Sequence, residues 1–425
     1  MKLTRHNGRS GKHGTYNPRH NDRRFDVENS EHIDAERARQ NVYWDCYRGF
    51  TTHEFRENPE QPDFSFEEIE RMYYYEHYGG YVEAQNARNE KTRHTERNRT
   101  VEDLLKNNKT CPEESIYQIG TMGESVSPDT LFSIVNEFYQ EFERRFGSHI
   151  HILDWALHLD EGTPHIHERH VFAYTYVFED NFPLVGDYDF NDVVLDVSIN
   201  YDRGRDNKIT ATHIDVTLVA AGATKTIGAG LRLVNVDGAA VANVSYEGDV
   251  NRFQNTLSGS MLDNISFEDG MVIPLFGNVH DVFGVAPGTM VNTGIATAPT
   301  YTYKIKIEQS NAYQHESPVI SKNNLDFFIA YKFRSMQQRM EVHLYEFWGY
   351  GATKGGTVQK ENLDLAGNNT WAICVPNFRY PRESINISTL KGDDCAYPLF
   401  LKWAQNRTPE NEDWHLHPNE NNVYR

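Results

Sequence analysis

The chain changes its sequence language abruptly at Phe172, and no single fold accommodates both sides of that change. Before it the text is polar, rich in Arg, Glu, Asn and His, and its apolar patterns recur mostly at helical spacing. After it, β-branched runs separated by Gly, Asn and Asp take over, and long helical periodicity is absent until the very end. At 425 residues there is room for about two or three domains with cores of their own. The change predicts a domain over 1–172, a second over 173–415 and a polar tail over 416–425.

In the first part, Ser127-Pro128 is a helix start, a cap followed by proline at the first helical position. Leu131, Phe132, Val135, Phe138, Tyr139 and Phe142 follow at helical spacing, and Gly147 ends the run. Phe64–Lys109 also reads as helical, its Glu/Arg-rich middle a solvated face. Tyr43 sits in a helical apolar pattern, and residues 150–159 read as a strand. The formal charge of −19 argues against coating nucleic acid by bulk charge. A local basic patch exists nonetheless: Lys2, Arg5, Arg9, Lys12, Arg19, Arg23 and Arg24 stand against Asp22 alone.

The first residues are charged but lack the apolar core of an export signal, and no run approaches the roughly 18 apolar residues of a membrane helix. Cys46, Cys111, Cys374 and Cys395 form no CxxC pair, which argues against a structural zinc knot. A cytoplasmic chain with free thiols is expected; Cys374 and Cys395 could pair only if that part is exported.

The sharpest motif is His158-Leu-Asp160-Glu161-Gly-Thr-Pro164-His165-Ile166-His167. On a strand alternate residues share a face, so His165 and His167 project together, and His158 can fold back over them across the Gly162–Pro164 turn. Three imidazoles leave positions open on a divalent ion, which suits catalysis better than a structural site. Nitrogen ligands favour Mn²⁺ or Zn²⁺ over Mg²⁺, although a nearby carboxylate broadens the choice. Glu161 is placed to orient a ligand, join the shell or handle a proton. The helical HExxH spacing of a metalloprotease is absent.

This motif resembles the HxDExxPHxH signature of the MobV/Pre plasmid mobilisation and recombination relaxases of the HUH endonuclease group. His6-Asn7-Gly8-Arg9 resembles that family's HNxR box. Asn17-Pro18, Ser30–Asp34 and Asn41-Val-Tyr43 resemble its second motif. The resemblance implies an α+β domain with an antiparallel sheet, and transesterification at a plasmid DNA origin, with Mn²⁺ the first choice of ion and Mg²⁺ or Zn²⁺ after it. His158, His165 and His167 would hold the metal and His6 would be the nucleophile, with Tyr43 as runner-up. Arg5, Asn7, Arg9, Arg19, Arg23 and Arg24 would hold DNA phosphates, a salt-dependent interaction. The family-like text stops at Phe172, so a truncated domain is expected, its metal-bearing sheet short of neighbouring strands and its activity impaired.

In the second part, Glu179, Asp180, Asp187, Asp189, Asn191 and Asp192 crowd oxygen ligands into one short stretch. Carboxylates so close repel one another, and a hard cation resolves the repulsion, with Ca²⁺ the best fit. The flanking text FEDNFPLVGDYDFNDVV resembles the opening of the LruC domain of bacterial surface proteins. Met340–Leu344, Trp371–Pro376, Tyr380–Glu383, Tyr397–Phe400 and Trp403-Ala404 resemble its later elements. That implies an all-β, sandwich-like, non-enzymatic module with an unknown surface ligand, typically outside the cell. One address does not suit both parts, so the chain reads as a chimeric join of a nicking domain and a surface module, or else as a surface protein with a vestigial leading segment.

Overall fold

The computed structural model describes residues 3–7, 17–57, 65–91, 93–107, 111–146, 150–182, 184, 186–204, 206, 208–316, 318–332, 339–358, 371–376, 378–388, 394–405 and 414–424. The chain divides into two compact units, one holding 1–142 and 150–172, the other the remaining residues. Most of the regular structure is strand, gathered into three sheets, one in the first unit and two in the second.

The first unit is built on one sheet of seven strands. In chain order these are β1 (Leu3–Asn7), β2 (Val42–Asp45), β3 (Gly49–Thr52), β4 (Glu113–Thr121), β5 (Glu124–Ser125), β6 (Ile150–His158) and β7 (His165–Phe172). They lie side by side as β1-β4-β7-β6-β2-β3, with β5 on β4, and every pairing is antiparallel. Two helices cover opposite faces. Phe66–Lys91 packs Phe66 against Tyr43 and Ala156, and Tyr73 and Tyr74 against Leu153 and Val171. Pro128–Phe146 sets Leu131 and Val135 on Tyr117, Ile119, Leu157 and Ile166. Ala156 and Leu157 thus serve opposite layers, as period-two alternation requires. Ser127 accepts the Thr130 N–H at 3.3 Å, so the predicted cap and proline start are both in place.

Two expectations need correcting. Among the described residues of 1–149 helix exceeds strand, yet the sheet runs through this part as well, and Tyr43 lies on β2, not on a helix. Strands of four or five residues in polar text are too short to show a period, and only pairing with β6 and β4 makes them strands. Nor is the metal-motif strand short of neighbours. β7 is interior, hydrogen-bonded to β6 on one side and to β4, from earlier in the chain, on the other.

The second unit is a β-sandwich. One sheet runs β12 (Val241–Gly248), β14 (Tyr301–Gln309), β10 (Ile209–Ala220), β9 (Val193–Arg203), β8 (Tyr174–Phe178), β18 (Ala372–Pro376). The other runs β13 (Val272–Phe276), β11 (Gly228–Leu233), β15 (Leu325–Lys332), β16 (Arg339–His343), β17 (Gly356–Thr357), antiparallel except for the β16–β17 pair. Tyr176 of β8 meets Phe327 of β15 with ring centroids 4.7 Å apart. Every residue of β8, β11 and β16 is buried, because later segments cover the outer faces. Phe378, Tyr380, Tyr397, Phe400 and Trp414 cluster with Val177, Tyr188, Phe190 and Val194, making the closing segment part of the core.

Candidate functional site

The turn between β6 and β7 is held from outside by charge. Arg23, fully buried, donates from Nε and Nη2 to both oxygens of Asp160 at 2.8 Å and from Nη2 to Glu161 at 2.7 Å. Asn41 donates to Asp160 at 2.9 Å and accepts the Leu159 N–H at 2.8 Å. This paired geometry is the strong form of an Arg–carboxylate contact. It fixes where His158 and His165 stand at the two ends of the turn.

The three imidazoles form a near-equilateral triangle, with ring centroids 5.1 Å (158–165), 4.9 Å (158–167) and 5.0 Å (165–167) apart. Each ring is tied at its outer nitrogen. His158 Nε2 lies 2.8 Å from the Asn21 carbonyl, His165 Nδ1 2.9 Å from the Thr163 carbonyl, and His167 Nδ1 2.8 Å from Glu114 Oε1. Carbonyl and carboxylate oxygens only accept, so each of those nitrogens carries the proton. The inner nitrogens, His158 Nδ1, His165 Nε2 and His167 Nε2, are the ones left to meet a shared ion. Ligand atoms of the three lie within 4.8 Å of each other. Bonds from the far ring nitrogen to carbonyl or carboxylate are what orient metal-binding histidines. Burial first, and the neighbouring His167 next, hold His158 well below the ordinary histidine range and lower His165 as well, keeping both neutral and able to bind a metal. The donor set fits a transition-metal ion, with Glu161 3.9 Å from His165 Nε2 as a nearby carboxylate.

A fourth imidazole, which the motif reading missed, stands beside this triangle. The His20 ring centroid lies 5.4 Å from that of His167 and 6.2 Å from that of His158, and His20 stacks on Phe25. Burial, then His167 and Arg23, lower its pKa. The available signal was a repeat: His-Asn-x-Arg occurs at 6–9 and again at His20-Asn21-Asp22-Arg23. The second copy supplies the Asn21 carbonyl under His158, an Asn21 amide donating to Glu114 at 3.0 Å, and Arg23.

Other sequence candidates fall differently. Arg9 and the side chains of Arg5, His6 and Asn7 lie outside the described residues; the backbone of residues 5–7 pairs with 115–117. Arg19 is exposed and pairs with Glu67 at 2.6 Å. Arg24 is exposed, with one guanidinium nitrogen on the Arg56 carbonyl. Arg23 is not a free phosphate ligand, because Asp160 and Glu161 already occupy it. Tyr43 is only 1 % exposed, stacked among Phe66, Ala156 and Arg56, and burial pushes its phenol up to about 12. It is a core residue, out of reach of a substrate.

The acidic stretch of the second unit divides into two groups. Glu179, Asp187 and Asp189 bring ligand oxygens within 4.8 Å of one another. Asp180 instead pairs with Lys225 at 2.8 Å, and Asp192 accepts the Asp180 N–H at 2.7 Å. Asn191 donates to the Pro381 carbonyl at 3.4 Å. The turn reaches this shape through positive φ at Tyr188 (57°) and Phe190 (49°), a region bulky side chains rarely enter. Both rings are buried in the core, which leaves Asp187 and Asp189 on the opposite side. His343, on β16, is a different case. It lies 2.9 Å from Asp326 and 3.1 Å from Glu341, with no ring nitrogen left over.

A protein-family model described as a domain of unknown function, DUF4842, matches residues 207–415, wholly within the second unit. Among solved structures, the chain is similar to a Bacteroides ovatus protein described as a putative lipoprotein. That match has 13 % identity and a TM-score of 0.39, and covers 74 % of this chain and 90 % of that one. No curated protein matches. Among the described residues no helix is long and apolar enough to cross a membrane.

Proposed function

We propose that the first unit performs metal-dependent cleavage and transfer of a DNA phosphodiester, and that the second is a non-enzymatic, surface-type binding module. The first reading rests on one observation: three imidazoles, each tied at its far nitrogen, converge beside a fourth that is tied to none of them. A bound divalent ion would polarise the scissile phosphate and stabilise the charge that develops on it. His158, His165 and His167 would hold the ion. His20, largely neutral, attacks phosphorus; a P–N bond forms as the bond to the 3′ oxygen breaks, and the imidazole proton passes to that oxygen. Arg23 and Asn41 keep the turn rigid.

The nucleophile of the family-like HNxR box is thereby moved from His6 to His20. The substrate, a plasmid origin, comes from the sequence resemblance alone, and the family match lies in the other unit. For that second unit, a binding role outside the cell comes from the LruC-like motifs, and the sandwich fits it. His343 has both nitrogens engaged and is 1 % exposed, so it is no general base.

The test uses the full chain with Mn²⁺ and supercoiled plasmid carrying a matching origin. Nicking, a covalent protein–5′-DNA adduct, and loss of both in His165→Ala and His20→Ala are expected. An adduct that persists in His20→Ala and vanishes in His6→Ala returns the nucleophile to the first box. Undiminished nicking by His165→Ala, or none by the metal-loaded parent chain, overturns the enzyme reading and leaves the surface module as the chain's function.

A further inference from the structure

We infer that Glu179, Asp187 and Asp189 of the second unit hold a calcium ion, with the charge of Glu383 beside them, and that the ion fastens the closing segment of the sandwich to the turn that precedes β9. Glu383 is separated from Asp189 by nearly the whole second unit in sequence, yet the folded chain brings the two segments together. Ser384 N–H donates to Asp189 Oδ2 at 2.7 Å, the Asn386 amide donates to the Asp187 carbonyl at 2.6 Å, and Ile387 N–H donates to the Tyr188 carbonyl at 2.7 Å. Ser384 itself adopts a positive φ of 63°, which turns the chain at this point.

A cluster of acids by itself is no site; the decisive feature is Glu179. It is completely buried. Its Oε1 accepts the Phe190 N–H at 2.7 Å, and its Oε2 has no hydrogen-bond partner. A buried carboxylate oxygen without a partner carries a large desolvation cost that something must offset. Gly186 closes on that oxygen: a Cβ there would lie 2.5 Å from Oε2, so the glycine keeps the space beside it clear. Glu383 Oε2 is likewise enclosed. Lys225 does not serve the group, being bound to Asp180 and Asn181.

The electrostatics agree. Burial, and then Asp187 and Glu383, push Asp189 up to about 8. Burial and then Asp189 push Glu179 well above the carboxylate range, and burial and then Asp187 raise Glu383. These groups repel one another and meet no cationic side chain among those causes. The oxygens of Glu179, Asp187 and Asp189, within 4.8 Å of one another, suit Ca²⁺, whose oxygen ligands lie at about 2.3–2.6 Å and so span up to about 5 Å across the ion. Mg²⁺ demands a tighter octahedron and keeps its water, so it fits worse.

The experiment takes the full chain after chelation and measures Ca²⁺ binding by calorimetry, thermal unfolding, and protease release of the segment after Pro376. Saturable binding, a rise in Tm of several degrees with Ca²⁺ and a smaller one with Mg²⁺, and slower release are expected. Glu383→Gln should weaken Ca²⁺ at least tenfold and abolish the protection against release. Asp187→Asn, at a half-buried position that tolerates the change, should do the same should Glu179→Gln fail to fold. No binding by the chelated chain, or binding that Glu383→Gln and Asp187→Asn both leave unaltered, overturns the site. Binding without protection of the closing segment overturns the clamp.

Discussion

His158 Nδ1 and His165 Nε2 lie 3.4 Å apart, while the opposite nitrogen of each ring faces a main-chain carbonyl. With the outer nitrogens protonated, two lone pairs meet at that separation. A tetrahedral ion with Zn–N bonds of about 2.0–2.1 Å holds its ligand nitrogens about 3.3–3.4 Å apart. The rings are therefore already set at the spacing a metal imposes.

The outer bond of His167 should be separable from its role as ligand. Glu114 is lowered despite its burial by the His167 ring and by Arg169, and it holds His167 in one orientation. Glu114→Gln is expected to cost about tenfold to a hundredfold in metal affinity while leaving the stoichiometry at one. Metal analysis and competition with a chromophoric chelator measure both. An unchanged affinity removes the orienting role.

Arg23→Ala should be harsher than its place among the basic residues suggests. It leaves the buried Asp160 without its charged partner and frees Glu161. A loss of about 3–5 kcal/mol is the usual scale for breaking a buried pair from one side. Denaturant unfolding of the first unit measures it. Arg19→Ala, at an exposed pair, should change stability by less than about 1 kcal/mol.

Asp154 gives the first unit an acid-favouring dependence. It is completely buried, and burial first, then Glu70, raise its pKa well above the ordinary value, while Glu70 pairs with Arg169. The folded state then holds a proton that the unfolded chain releases near 3.8. Stability from this group is complete below that value and is lost as pH rises through the folded pKa. Asp154→Asn should flatten the decline and stabilise the unit by about 1 kcal/mol or more at pH 8. A variant less stable than the parent at that pH contradicts the assignment.

His343 titrates in the opposite sense to the metal-site histidines. Burial opposes its protonation, but the Asp326 and Glu341 carboxylates outweigh burial and raise its pKa. Its contribution is fully present below the unfolded value of 6.5 and is lost as pH rises through the raised folded value. His343→Gln should destabilise the second unit by about 3 kcal/mol, because two buried carboxylates lose their shared cation. Thermal unfolding from pH 6 to 9 should show an alkaline decline in the parent that the variant lacks.

Local chemistry made much of this molecule readable from residues alone. Alternation along a strand places His165 and His167 on one face, Ser127-Pro128 starts a helix, and the β-branched runs after Tyr174 become the strands of a sandwich. Those signals act over a few residues, so they survive without context. Long-range pairing does not. Residues 3–7 and 42–45 are strands only because β4 and β6 are there to bond them, and β7 gains its second neighbour from a segment some fifty residues earlier. Two equal copies of His-Asn-x-Arg could not be ranked until one lay against His158 and His167. Glu383 had no reason to be read with Asp189 until the closing segment folded back across the turn. Spacing along the chain sets which side chains share a face; only the packed chain sets which distant groups share one volume, and desolvation and charge act across that volume.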